Sequence, residues 1–389
     1  MSLTDRFNPA AQRMESSLVR ELLHYAQQPD MLSLAGGLPD ERHMPAFPEV
    51  SQVADSRQYG PSEGEGPLRA QIVELLAQRG LKISQPQVLI TNGSQQGLDI
   101  VSRLLLDAQS VILTEEPTYL AAIQVFKLQG AQIVSVASDE QGMSIEALRA
   151  AIDTHQPKAV YLIPNFQNPA GHCYSRERRE AIAQLLDEKN QLLIEDDPYR
   201  DLCYDPVDLT PITSLIQQAP WVYMGSFSKV LWPGLRTGYL ASCEELRPYL
   251  VKIKQATDLH TNRLGQAMIS QFLASGALPA HLQTLREVYR EKRDIMAQAL
   301  ETHLGDLLQI TVPKGGMFFW VQLPEGLSSR QVMEAALQRK LLVLPGTPFF
   351  AQPSEWDDRC LRLSFARVDR QDLQRAIQLL NQVIRSLLA

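Results

Sequence analysis

The sequence predicts an α/β fold: a large domain with a mainly parallel seven-stranded sheet flanked by helices, plus a smaller α+β domain. Three observations predict it. The chain has 389 residues, more than one ordinary core accommodates, so a large unit with a smaller companion is expected. Its first two thirds alternate amphipathic segments with short apolar runs, the rhythm of parallel strands joined by crossover helices. After "TGYLAS" (237–242) that rhythm gives way to longer helical segments interleaved with "GGMFFWVQLP", "KLLVLPG" and "CLRLSFA".

Taken in order, "SSLVRELLHYAQQ" (16–28) has apolar residues three and four apart and reads as a helix. "SLAGGLPDERHMPAFPEV" (33–50) holds three prolines and no helical period, which predicts an extended arm. Helical spacing returns in "GPLRAQIVELLAQRG" (66–80) and "SQQGLDIVSRLLLD" (94–107). Between and after them stand "QVLIT", "SVILTEE", "AQIVSVA", "AVYLIPN", "QLLIED" and "WVYMGS", each rich in Val, Ile, Leu or Tyr and each closed by a turn or polar cluster. "LPAHLQTLREVYREKRDIMAQALETH" (278–303) is a long helix. The expected division is 51–285 for the large domain, with 1–50 and 286–389 forming the N-terminal arm and helix and the small C-terminal domain.

Composition bounds the function. Hydrophobic residues make up 44% and charged residues 21%, ordinary for a folded globular chain. A formal charge of −7 without a Lys/Arg-rich block argues against nucleic-acid binding. Cys173, Cys203, Cys243 and Cys360 are far apart with no C-x-x-C, so neither structural zinc nor a disulfide framework is expected. No stretch approaches the ~18 consecutive apolar residues of a membrane span, and the first residues lack an apolar signal core. A cytoplasmic protein acting on small molecules is expected.

In open parallel sheets ligands bind beyond the carboxyl ends of the strands, and there this chain carries its polar clusters: "NGSQQG" (92–97), "PTYL" (117–120), "NFQNPAG" (165–171), "DDPYRD" (196–201) and "SFSK" (226–229). The Gly and Ser of "NGSQQG" offer free N–H groups at a helix start, suited to a phosphate or simply to an ordinary cap. Neither G-x-x-x-x-G-K-[ST] nor G-x-G-x-x-G occurs there, which weakens ATP and dinucleotide readings. Ser226, Ser228 and Arg236 add donors for a dianion. Lys229 follows an apolar strand in a run nearly empty of other charge, which favours a half-buried amine of lowered pKa able to form a Schiff base over a solvated surface lysine. A phosphate cup beside such a lysine suggests pyridoxal phosphate. That cofactor also needs an acid at its ring nitrogen, for which Asp196 is the candidate, against the alternative that Asp196 and Asp197 are turn carboxylates. Asn168 and Tyr199 can serve the ring hydroxyl and Tyr119 the ring face.

The series "NGSQQG", "EEPTY", "NFQNPAG", "EDDPY", "GSFSK" and "PGLRTG", in this order and spacing, resembles fold-type I pyridoxal phosphate-dependent aminotransferases of class I/II, with their aspartate aminotransferase-like fold. It is most similar to the branch containing 2-aminoadipate and kynurenine aminotransferases, and the likeness runs from Ser33 to Ala366. The resemblance implies that Lys229 holds pyridoxal 5'-phosphate and shuttles a proton, that Asp196 keeps the ring nitrogen protonated, and that Asn168 and Tyr199 bond the ring oxygen while Tyr119 stacks. It implies Ser94, Gln95, Ser226, Ser228 and Arg236 around the phosphate, and Tyr59 reaching the phosphate of a neighbouring subunit in a homodimer with shared sites. Arg362 and Gly37 would receive the substrate carboxylate, and Arg20 an acidic side chain. The implied reaction moves an amino group between an L-amino acid and a 2-oxo acid, with glutamate and 2-oxoglutarate expected as one pair. A β-eliminating or C–S lyase shares the same fold, and aminotransferase-like regulators carry the domain as a ligand sensor; the chain's start directly on the arm disfavours the latter. Two departures stand out: the charged stretch Asp40 to His43 in the arm, and Trp232, which reads as loop packing or as a narrower pocket.

Overall fold

The structure, a computed structural model, describes residues 3–13, 22, 24–26, 28–49, 57–354 and 356–389. Most of the helix expected over 16–28, and with it Arg20, lies outside the described residues.

The six apolar runs and the segment "TGYLAS" form one sheet. Its strands are β1 (Val88–Thr91), β2 (Val111–Glu115), β3 (Gln132–Val136), β4 (Ala159–Leu162), β5 (Leu193–Asp196), β6 (Trp221–Ser226) and β7 (Gly238–Ser242), in the spatial order β1-β7-β6-β5-β4-β2-β3. Six run parallel; β7 is antiparallel to both its neighbours. Every residue of β1, β4, β5 and β7 is buried, which is why these runs read as continuous apolar stretches instead of alternating ones. Helices cover both faces. On one side, the helices Ile145–His155 and Arg176–Lys189 contribute Leu148, Ile152, Ile182 and Leu186 to a core with Leu113, Val160, Leu162 and Leu193 from the sheet. Serine caps start both helices: Ser144 Oγ accepts from Ala147 N and Ser175 Oγ from Arg178 N.

The other core is continuous with that of the smaller α+β part, where the strands Phe318–Gln322, Leu344–Pro345 and Cys360–Ser364 form an antiparallel sheet. The 27-residue helix Leu278–Leu304 passes between the two parts. The amphipathic helix Arg370–Leu388 packs on it, burying Leu373, Ile377, Leu380 and Ile384. In the arm, Leu32–Ser33 pairs in parallel with Leu341–Leu342, and the remainder is extended apart from a short turn at Glu41–His43.

Asp40 is 1% exposed. Its carboxylate accepts from Arg42 Nε at 2.8 Å, Arg42 Nη2 at 2.7 Å and Lys292 Nζ at 2.6 Å. Burial opposes its charge, but these cations hold the carboxyl well below the usual carboxylate range. Arg42 also pairs with Asp369, and Glu41 with Arg367. The arm's unusual charges are thus engaged with the smaller part of the molecule. Farther along, Trp232 Nε1 donates to Pro45 O at 2.7 Å while the indole packs against Phe47 and Phe272. Packing is the reading that holds for Trp232, which does not line the cavity described next.

Candidate active site

The carboxyl ends of β1, β2, β4, β5 and β6 converge on a cavity of about 180 Å³. Ten residues expected from the sequence line it: Ser94, Gln95, Tyr119, Asn168, Asp196, Tyr199, Ser226, Ser228, Lys229 and Arg236. Ile163 and Pro198 complete the wall. Because β7 runs against its neighbours, its first residue, Gly238, lies opposite both Ser226 and Thr91. Arg236, two residues earlier, therefore meets the phosphate-type turn after β1. Two glycines make that meeting possible. Gly93 adopts φ +75°, and a Cβ there would sit 2.7 Å from Arg236 Nη2; a Cβ on Gly238 would be 2.8 Å from Ser94 N.

Lys229 Nζ donates to Gly37 O at 3.0 Å and lies 5.7 Å from the centre of the Tyr199 ring. Burial, then the charges of Arg362 and Arg236, bring its pKa down to about 8. A measurable consequence is that, in cofactor-free protein, acylation of Lys229 by a small activated ester follows a titration with its midpoint near pH 8. Arg362→Leu removes a neighbouring cation and moves the midpoint upward; mass spectrometry of the labelled peptide across pH checks this, and an unmoved midpoint contradicts it.

The two adjacent aspartates divide in role. Asp196 Oδ2 accepts from Tyr161 Oη at 2.9 Å, while Oδ1 is buried without a hydrogen-bond partner among the described residues. Burial, only partly offset by Tyr161 and Lys229, raises its pKa to about 7. Asp197 is also buried, but Arg200 at 2.9 Å, Asn165 at 2.7 Å and Tyr223 at 2.8 Å keep it below the ordinary value. Only Asp197 behaves as the turn carboxylate that both resemble in sequence. Asn168 Nδ2 donates to Tyr199 Oη at 3.2 Å, and Arg362 Nη1 donates to Asn168 Oδ1 at 2.9 Å. Arg362 also donates to Ala35 O at 2.6 Å and lies over the rings of Phe318 and Phe349. Its partners are neutral; burial lowers its pKa to about 10, and Nε is buried without a partner among the described residues. Gly37 packs against Phe318, so a Cβ there would stand 3.0 Å from that ring.

Tyr59 lies outside the cavity, 77% exposed, with its ring edge-on to His260 at 5.9 Å. The sequence reading missed Tyr161, whose only signal is a tyrosine on the strand beside Asp196, and Lys254, whose pairing with Asp258 four residues on looks like a surface salt bridge.

The chain matches the aminotransferase class I and II family over residues 29–380. It belongs to that family. It is 38% identical over all of its length, and 99% of the relative's, to a 2-aminoadipate transaminase of Thermus thermophilus. Among solved structures, the α-aminoadipate aminotransferase LysN from Thermus thermophilus, complexed with N-(5'-phosphopyridoxyl)-L-leucine, superposes with TM-score 0.92 at 36% identity. The match covers all of this chain and 99% of that one. Pyrococcus horikoshii kynurenine aminotransferase superposes equally well, TM-score 0.92 at 34% identity, covering 100% and 98%. The fold is that of the type I pyridoxal phosphate enzymes, and this aminotransferase uses pyridoxal phosphate. The site suits that group on its own evidence: Asp196 Oδ1 and Ser228 Oγ are buried oxygens without partners among the described residues, suited to a ring N–H and to a phosphate respectively. Among the described residues no helix is long and apolar enough to cross a membrane, and no cluster of ligating side chains could hold a metal.

Proposed function

We propose that this aminotransferase exchanges an amino group between an L-amino acid and a 2-oxo acid with glutamate and 2-oxoglutarate as one pair, and that a 2-aminoadipate-like, aromatic or branched-chain amino acid is the other donor. The observation that carries the reading is the convergence of ten expected residues on one cavity, among them a lysine of lowered pKa and a buried, half-partnered aspartate. The relatives' names support the 2-aminoadipate-like and aromatic donors, and the leucine adduct bound in the Thermus thermophilus LysN structure supports the branched-chain one.

Bound there, the cofactor supplies an electron-withdrawing ring that stabilises negative charge at the substrate α-carbon. Lys229 is the residue that holds it, and its Nζ, partly unprotonated near neutral pH, accepts and returns the α-proton. Asp196 offers Oδ1 to the ring nitrogen, and Tyr161 keeps that carboxylate aimed. Asn168 and Tyr199 orient the ring oxygen, and Tyr119 lies against the ring. Ser94, Gln95, Ser226, Ser228 and Arg236 hold the phosphate at a helix start, where backbone N–H groups favour an anion. Arg362, fixed by neutral acceptors and so still carrying an uncompensated charge, takes the substrate carboxylate in a forked pair beside Gly37. Exposed Tyr59 serves the phosphate of a second copy in a two-fold homodimer. The division into 51–285 and 1–50 with 286–389, its second boundary inside the helix Leu278–Leu304, and a cytoplasmic location belong to the same reading.

Arg20 enters on its sequence match alone, as the partner of an acidic substrate side chain. A panel of amino acids with 2-oxoglutarate as acceptor tests the proposal. 2-Aminoadipate turns over with 2-oxoglutarate, and glutamate turns over when a different 2-oxo acid is the acceptor; Arg20→Ala lowers kcat/KM for both roughly tenfold relative to leucine, the order expected for loss of one charged partner. An unchanged ratio removes Arg20 from the site. Release of pyruvate and ammonia in place of a new amino acid would make the enzyme a lyase.

A further inference from the structure

Lys254, on the helix Arg247–Asp258, does not line the cavity, yet its side chain is fully buried and all three of its ammonium protons are used. Nζ donates to Gln96 Oε1 at 2.9 Å, Asp258 Oδ2 at 2.7 Å and Thr261 Oγ1 at 2.9 Å. The same acceptors tie down the turn after β1. Gln96 Oε1 also accepts from Asn92 N at 2.8 Å, Gln96 Nε2 donates to Asp258 Oδ2 at 2.7 Å, and Asn92 Nδ2 donates to the same oxygen at 2.6 Å. Asn92 and Gln96 are the two ends of the segment that contains Gly93, Ser94 and Gln95. That segment opens the helix Ser94–Leu105 and faces the cavity through Ser94 and Gln95.

A buried ammonium is retained only when its donors are satisfied, and a satisfied buried network holds one geometry strongly. Here that geometry is the spacing of the turn. Asp258 sits directly on Lys254, so the pair is locally neutral and acts through position more than through long-range attraction of an anion.

We propose that Lys254, Asp258 and Gln96 form a positioning network that sets the shape of the turn Asn92–Gln96, so that the enzyme's grip on the cofactor's phosphate depends on Lys254 while its proton-transfer chemistry does not. The inference rests on the reading of that turn as the phosphate site. Lys254→Met leaves Asp258 without its cation next to that turn, and takes one of two donors from Gln96 Oε1 and the ammonium donor from Thr261 Oγ1. Removing the acid as well, in Lys254→Met with Asp258→Asn, restores local neutrality but not the geometry.

The test measures binding of pyridoxal 5'-phosphate and of pyridoxal, which lacks the phosphate, to cofactor-free protein. In Lys254→Met the affinity for pyridoxal 5'-phosphate falls roughly tenfold or more, the scale of losing a charge-assisted hydrogen bond. Affinity for pyridoxal changes less than about twofold, and kcat at saturating cofactor also stays within about twofold. The double variant recovers part of the loss. Equal weakening of both ligands, or no weakening, overturns the proposal, because a merely structural role does not single out the phosphate. If Lys254→Met fails to fold, Asp258→Asn is measured in its place, with about a threefold selective loss expected. Wild-type protein that does not prefer pyridoxal 5'-phosphate over pyridoxal would instead refute the assignment of the phosphate site, a separate outcome.

Discussion

Lys229→Ala abolishes transamination, lowering kcat by about 10⁴-fold or more, since one side chain supplies both the covalent anchor and the base. Binding should survive far better than turnover. Most of the lining, including Ser94, Asn168, Asp196, Ser226 and Arg236, remains in place around the missing amine, so the variant takes up pyridoxal 5'-phosphate reversibly, released on dialysis. Single-turnover kinetics with glutamate, alongside cofactor retention, check this. Turnover near the wild-type rate would remove Lys229 from the mechanism. A small exogenous amine, able to enter the cavity beside Tyr199, restores part of the proton transfer.

Asp196→Asn has the second largest effect, a fall in kcat of roughly 10² to 10⁴-fold, the range associated with loss of a preorganised charge aimed at the reacting system. Asparagine keeps the shape and leaves Tyr161 a partner, but no anion faces the ring nitrogen. The same substitution carries a stability signature of opposite sign. In cofactor-free protein Asp196 titrates near 7, above its ordinary 3.8, because burial penalises the carboxylate. Between those values the folded protein holds a proton that the unfolded chain has released, so this group's contribution to stability is full below about 4 and is lost as pH rises through 7. Asp196→Asn has no such proton to lose, and its cofactor-free form gains stability relative to wild type between about pH 5 and 8. Urea unfolding at those two pH values measures it. An enzyme that is catalytically crippled yet relatively more stable at the higher pH is the expected combination; a relative loss of stability there would mean that Asp196 is held as an anion by the protein itself.

The candidate site was legible because its signals are local. Each parallel strand ends in a turn, the residues after each turn must face one edge of the sheet, and five such turns placed Ser94, Tyr119, Asn168, Asp196 and Lys229 on one list before any contact was known. What stayed hidden depends on partners far along the chain. Nothing within "GLPDERHMP" says that Asp40 will meet Lys292, 252 residues away, so the sequence marks its charges as unusual without showing that they anchor the arm. Trp232 likewise finds Pro45 and Phe47 far back along the chain. Lys254 and Asp258, spaced one helical turn apart, carry the pattern of an exposed pair and are distinguished from one only by burial.

By itself, the order of apolar runs and polar turns determined the sheet, its ligand-binding edge and the chemistry of the groups along that edge, since strand burial and turn composition are properties of neighbouring residues. The tertiary structure alone decided that β7 runs backward. Strand direction depends on how the chain crosses between distant segments, and this one reversal brings Arg236 at the start of β7 onto the edge where the other strands end, against Gly93 and Ser94. It likewise decided which of two adjacent aspartates keeps an oxygen available: Asp197 is met by Arg200, Asn165 and Tyr223, while Asp196 bonds Tyr161 through Oδ2 and its Oδ1 has no partner among the described residues. Desolvation and charge pairing act through space, so only the folded chain can assign them.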